Sequence, residues 1–187
     1  MKLALIALSG VRAYDRELTA IGLTLPGFVE RSKTIASLPS LGLLTLAGMT
    51  PGDIEVDYIE FDGETPADGM AGQYDAVAIS SFSARIKDAY ALARQCRAAG
   101  IRVILGGLHV TARPEEAGAC ADTIVIGEAE PVWPQVIDDL RHDALKPVYD
   151  ARATPFDLAD APMPRFDLLD PSRYNRLTVQ TQRGCPF

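Results

Sequence analysis

The sequence predicts a doubly wound α/β domain with a parallel sheet, and three observations point there. Five short apolar runs, rich in Val, Ile and Leu, lie at Lys2–Leu8, Ile54–Glu60, Ala76–Ser80, Arg102–Leu105 and Thr123–Ile126. They do not alternate cleanly between apolar and polar residues, the pattern of strands buried on both faces. Helical stripes fall between them, and strand–helix alternation implies a sheet with helices on both sides. Five strands favour the flavodoxin-like, Rossmann-like order in three α/β/α layers.

Each helix is marked by its period. Pro39–Ala47 follows Ser37 and carries Leu41, Leu43, Leu44 and Leu46. Ala84–Ala99 follows Ser83, an N-cap residue type, sets Ile86, Ala89, Tyr90, Ala93 and Cys96 on one stripe, and stops at Gly100. Pro131–Leu140 places Trp133, Val136, Ile137 and Leu140 at i, i+3, i+4 and i+7. A short turn at Pro114–Ala117 links the fourth and fifth strands, and Pro66–Ala71 is the one candidate for a helix between the second and third.

The bulk numbers limit the function classes. A chain of 187 residues suffices for one domain with a substantial core and an extension. Hydrophobic residues make up 48% and the net charge is -7. That charge argues against a nucleic-acid partner and against an anionic membrane surface. No apolar run reaches the length of a membrane span. Three widely spaced cysteines form neither a disulfide framework nor a zinc pattern, which points to a reducing, cytoplasmic location.

In an open parallel sheet, ligands bind outside the carboxyl ends of the strands. The loops there read Ser9-Gly10 to Thr34, Asp62-Gly63-Glu64, Ser80-Ser81-Phe82-Ser83, Gly106-Gly107-Leu108-His109-Val110-Thr111 and Gly127-Glu128-Ala129-Glu130. The first is too long for a connector and reads as a lid or an insertion. Gly106-Gly107 reads either as a tight turn or as an opening that lets a flat group reach the backbone. There is no Gly-x-Gly-x-x-Gly after the first strand and no Walker loop. Strands one and three end in Leu8-Ser9 and Ile79-Ser80, without the carboxylates a phosphoacceptor site needs. Neither histidine has a second metal ligand at zinc spacing.

Four segments, taken in order, resemble the N-terminal domain of the large cobalamin-binding radical-SAM family. They are Leu38-Pro39-Ser40-Leu41-Gly42-Leu43-Leu44, Ser80-Ser81-Phe82-Ser83, Gly106-Gly107-Leu108-His109-Val110-Thr111 and Val125-Ile126-Gly127-Glu128-Ala129-Glu130. Ala161-Pro162-Met163-Pro164-Arg165-Phe166 is similar to its interdomain connector, anchored by Phe156, Phe166 and Leu168. Gln180-Thr181-Gln182-Arg183-Gly184-Cys185-Pro186-Phe187 resembles the first strand of the radical-SAM barrel, arriving at the first cysteine of Cys-x-x-x-Cys-x-x-Cys.

The resemblance implies a cobalamin-binding domain over 1–145, a linker over 146–176 and the first barrel strand over 177–187, the strand proper at Leu177–Gln182. It implies cobalamin held by Ser9, Gly10, Leu41, Gly42 and the loop Ser80, Ser81, Phe82, Ser83. Gly106, Gly107, His109, Thr111, Gly127 and Glu128 complete that site. Cys185 becomes an iron–sulfur ligand of a 4Fe-4S cluster, with S-adenosyl-L-methionine as a further cofactor and the rest of the barrel as partner. The activity implied for the longer protein is methyl transfer or a radical rearrangement, and none for this stretch alone. Methionine-synthase-type domains carry Asp-x-His-x-x-Gly after strand one, but residues 9–37 hold no histidine, so a base-off cofactor without that ligand is implied. His109 reads as a corrin contact, a cobalt ligand or a loop-packing residue. Glu128 and Glu130 read either as acid–base groups or as structural carboxylates near a helix N-terminus, which stabilises their charge, and Glu128 can also accept a bond from a cofactor amide. Cys96 and Cys120 read as buried small hydrophobes. Two rival readings are a cofactor-free scaffold, whose crevice above Gly106-Gly107 bulky side chains of the long first loop would fill, and a flavodoxin-like domain for another ligand such as a flavin.

Overall fold

The computed structural model describes residues 1–8, 38–61, 69–170, 174 and 178–183. Strands β1 (Lys2–Leu8), β2 (Glu55–Glu60), β3 (Ala76–Ser81), β4 (Arg102–Gly106) and β5 (Thr123–Ile126) appear where the apolar runs predict them. Helices α1 (Leu41–Met49), α2 (Ile86–Ala98), α3 (Leu108–Ala112), α4 (Pro114–Gly118) and α5 (Trp133–Arg141) fall between and after them, with α3 and α4 both between β4 and β5, where the sequence reads a loop and a short turn. A single 3-10 turn, Ser83–Arg85, precedes α2.

The sheet is parallel throughout, but it has six strands rather than five, in the order β2-β1-β3-β4-β5-β6. The addition, β6 (Val148–Asp150), falls inside the stretch the sequence reads as linker. Only its Tyr149 is buried, so three residues offer no period to detect. A second difference lies at the C-terminus. Residues 178–182 form no strand, so the described part of Leu177–Gln182 does not carry the expected one. The candidate helix Pro66–Ala71 lies partly outside the described residues, and its described end is a turn in which the backbone N–H groups of Gln73 and Tyr74 donate to Met70 O.

β1 shows why both faces are covered. Ala4, Ile6 and Leu8 join one apolar cluster with Ile86, Leu92, Cys96, Val110 and Ala117 of α2–α4. Leu3, Leu5 and Ala7 join the other with Leu43 and Leu46 of α1 and Trp133, Val136, Ile137 and Leu140 of α5. The stripe predicted for α5 is the set it buries. In α2, Leu92 is buried while Tyr90 stays half-exposed. Cys96 is fully buried, and burial pushes its thiol up to about 11, as a packing residue requires.

The chain after β6 crosses α1. The Arg165 backbone N–H donates to Leu44 O at 3.1 Å, and Leu168 packs on the α1–α5 cluster. Leu169 is the buried anchor of this stretch, while Phe156 and Phe166 are half-buried.

Candidate functional site

The helices α1 and α5 stand on one face of the sheet and are braced at both ends. The backbone N–H of Ser40, the residue before α1, donates to Tyr58 Oη on β2 at 2.7 Å. Burial pushes that Tyr58 hydroxyl well above its usual range, so it stays protonated. Beyond the end of α1, Thr50 Oγ1 donates to Leu46 O at 2.8 Å and accepts from Trp133 Nε1 at 3.0 Å. Trp133 is 1% exposed, so this bond sits inside the core and fixes α5 against α1.

Between these helices and the carboxyl ends of β3, β4 and β5 lies a cavity of about 700 Å³. Its floor is Ala78, Ser80, Ile104, Gly106 and Val125 from the three strands. Leu41, Gly42, Leu43 and Leu46 of α1 form one wall, and Gly127 to Glu130 with Trp133 the opposite one. Phe82 and Leu108, both exposed, stand at its rim. The last side is residues 178–183. Apolar walls with a few convergent polar groups are the usual make-up of a small-molecule site, and the volume falls in the range of such sites.

The two glycines ending β4 do different work. Gly107 has φ +103°, and a Cβ there would lie 2.9 Å from Ser81 O and 3.0 Å from Ser80 Oγ. It permits the β3 and β4 ends to meet. Gly106 has no such constraint, since its Cβ would meet Val125 Cβ at 3.9 Å, an ordinary contact. Thr111 ties this turn to the next loop: its hydroxyl donates to Gly107 O at 3.1 Å and accepts from the Gly127 N–H at 3.0 Å.

Of the residues singled out from the sequence, Leu41, Gly42, Ser80, Phe82, Gly106, Gly107, Gly127 and Glu128 meet at this cavity. Ser81, Ser83, His109 and Thr111 do not line it. Ser81 is buried and its hydroxyl bonds Phe82 O at 3.0 Å. His109 lies toward α2 and α4: Nδ1 is 3.0 Å from Ser83 Oγ, Nε2 is 3.6 Å from Glu116 Oε2, and the Tyr90 ring meets the imidazole edge-on. Its Nε2 is buried and makes no hydrogen bond among the described residues. Ser9, Gly10 and Cys185 lie outside the described residues.

Comparison with known protein families decides what this crevice belongs to. The model of the B12 binding domain matches residues 33–137, which include α1, the loops after β2 to β5 and most of α5. The chain belongs to the B12-binding domain family. Relatives of this B12-binding domain include bacteriochlorophyllide d C-8(2)-methyltransferase of Chlorobaculum tepidum, 34% identical over 156 residues, which are 79% of this chain and 34% of that protein. The bacteriochlorophyllide d C-12(1)-methyltransferase of the same organism is 31% identical over 155 residues, 80% of this chain and 34% of that protein. Hopanoid C-2 methylase of Rhodopseudomonas palustris is 26% identical over 155 residues, 81% of this chain and 29% of that protein. The chain thus spans about a third of the length of these relatives.

Leu43, Leu46, Trp133, Glu130 and Arg183 also line the B12-domain crevice. Trp133, Leu43 and Leu46 read as core because their spacing is that of any amphipathic helix. Glu130 is 5% exposed, the one acidic residue buried to that degree among the described residues. It receives Arg183, whose Nη2 lies 2.8 Å from Glu130 Oε1 and whose Nη1 lies 3.3 Å from Glu128 Oε2. Burial works against the Arg183 charge, but the hydrogen bond and charge of Glu130, with those of Glu128, outweigh it and raise its pKa. Among the described residues no group of three or more His, Cys, Asp or Glu side chains is placed to hold a metal, and no helix is long and apolar enough to cross a membrane.

Proposed function

We propose that this domain binds cobalamin in the crevice at the ends of β3, β4 and β5. The observation that carries the reading is the open space of about 700 Å³ beside Gly42, Ser80 and Gly106, in a chain of the B12-binding family. A cofactor-free scaffold would fill that space with bulky side chains of the long first loop, which lies outside the described residues. The residues fit the group. Leu41, Leu43, Leu46, Ile104 and Val125 offer apolar surface to the cofactor, and Ser80 and the backbone at Gly106 offer small polar contacts that admit a bulky ligand. Bound there, cobalamin supplies a cobalt centre able to carry a methyl group, while the chain supplies orientation and exclusion of water. His109, bonded to Ser83 and lying off the cavity, takes no part in holding cobalt.

Titration of the anaerobically purified chain with hydroxocobalamin, followed by absorbance and calorimetry, should show saturable one-to-one binding with a base-off spectrum. His109→Ala should leave both unchanged. Absence of binding by the wild-type chain would overturn the reading, and loss of binding in His109→Ala would overturn the part assigned to His109.

We further propose that the chain is the cofactor domain of a longer radical-SAM methyltransferase. Support comes from the methyltransferase and methylase names of the relatives and from Arg183-Gly184-Cys185-Pro186, which resembles the approach to the first cluster cysteine. In that longer protein, Cys185→Ala should abolish the absorbance of a 4Fe-4S cluster while cobalamin binding persists. An intact cluster in the variant would remove Cys185 from the ligand set.

A further inference from the structure

Residues 178–183 form one side of the crevice without the support that normally fixes a wall. They form no strand, and Val179 is 75% exposed. Open space lies on both sides of them. Val179, Gln180 and Arg183 line the main cavity and also a second one, of about 290 Å³, shared with Pro162, Met163 and Phe166. Among the described residues, a polar tie joins the end of the segment to the domain. Arg183 reaches Glu130 at 2.8 Å and Glu128 at 3.3 Å, and its Nη2 also donates to Gln180 Oε1 at 3.1 Å.

The burial of Glu130 sets the strength of this tie. Its side chain is 6% exposed and that of Arg183 22%. Withdrawing the guanidinium would leave a carboxylate in the protein interior without a counter-charge, which is far costlier than separating an exposed pair. The segment is therefore held shut by a charge it neutralises. It does not plug the crevice either: all six residues bound a space that stays open beneath them.

We propose that Arg183 is a positioning residue, clamped by Glu128 and Glu130 so that residues 178–183 form a fixed wall of the cofactor crevice. The inference rests on the cobalamin reading for the identity of the occupant. It adds that cofactor and clamp support each other. Lysine would not replace it well, since a single ammonium cannot present the guanidinium fork to two carboxylates.

Limited trypsin digestion of the 187-residue chain, read by mass spectrometry, tests the clamp directly. Cleavage after Arg183 requires its side chain to leave the glutamates and enter the protease. Wild type should be cut slowly there, Glu130→Gln about tenfold faster, in step with the larger open population. Hydroxocobalamin should slow the wild-type cut further. In calorimetry, Arg183→Ala should raise the cobalamin Kd about fivefold, with Arg183→Lys between it and wild type. Equal cleavage of wild type and Glu130→Gln overturns the clamp. An unchanged Kd in Arg183→Ala, or cofactor that speeds cleavage, overturns its role as a wall of the site. If the wild-type chain binds no cobalamin, the functional reading fails, while the comparison of Glu130→Gln with wild type still decides the clamp.

Discussion

Gly107→Val should destabilise the domain by about 3 kcal/mol or more, whereas Gly106→Ala should leave its stability nearly unchanged. Gly107 has φ +103° and ψ -178°, a region open essentially to glycine alone. Its added Cβ would also meet backbone atoms, Ser81 O at 2.9 Å and Ser81 N at 3.2 Å, and neither can swing aside as a side-chain tip would. The strain has nowhere local to go, because Thr111 pins Gly107 O to the Gly127 loop. For a chain of this size a loss of about 3 kcal/mol lowers Tm by roughly 6–12 °C, readily seen by circular dichroism. Gly106→Ala adds a methyl group that meets only Val125 at 3.9 Å, so its Tm should stay within about 2 °C of wild type. The methyl group does stand at the crevice, so cobalamin binding should weaken in a protein that is otherwise sound. Equal thermal loss in the two variants would show that the strand-end turn does not impose the conformation described.

That contrast shows what was legible in the chain and what was not. The pair Gly106-Gly107 reads as either a turn or an opening for a ligand, and the structure divides the two roles between neighbouring residues. Only the backbone dihedral separates them, and no local pattern states it. The first five strands were legible as uninterrupted apolar runs, and the α5 stripe by its helical period. β6 was not: with one buried residue in three, it is selected by its pairing with β5, Ile124 to Val148 through Ile126 to Asp150. Likewise the strand ends pointed to Ser80, Gly106 and Gly127, since the topology of a parallel sheet places ligands there. The clamp joins residues 53 positions apart, Arg183 and Glu130, and its signal exists only after the sheet has formed. His109 invites attention as a potential ligand, yet it hydrogen-bonds Ser83 on the α2–α4 side.

Gly42→Leu should move two measurements in opposite directions, and this separates the demands of the fold from those of the site. Gly42 is exposed in the first turn of α1, and a Cβ there meets no atom within 4 Å. Glycine weakens a helix relative to leucine by up to about 1 kcal/mol, so the fold alone would favour the larger residue. Among the described residues, nothing in the packing asks for glycine at this position. The open space beside it, however, belongs to the crevice, which Gly42 lines across from Gly127 and Glu128. A leucine side chain would project into volume the cofactor needs. The variant should therefore keep or raise its Tm while its cobalamin Kd rises at least about tenfold, a loss of roughly 1.4 kcal/mol. Gly42→Ala should fall between, because one methyl group takes less of the space. Unaltered affinity in Gly42→Leu would place the cofactor away from α1 and move the site toward the β4–β5 side of the crevice. A drop in Tm would mean instead that the first turn of α1 is packed against residues other than those described.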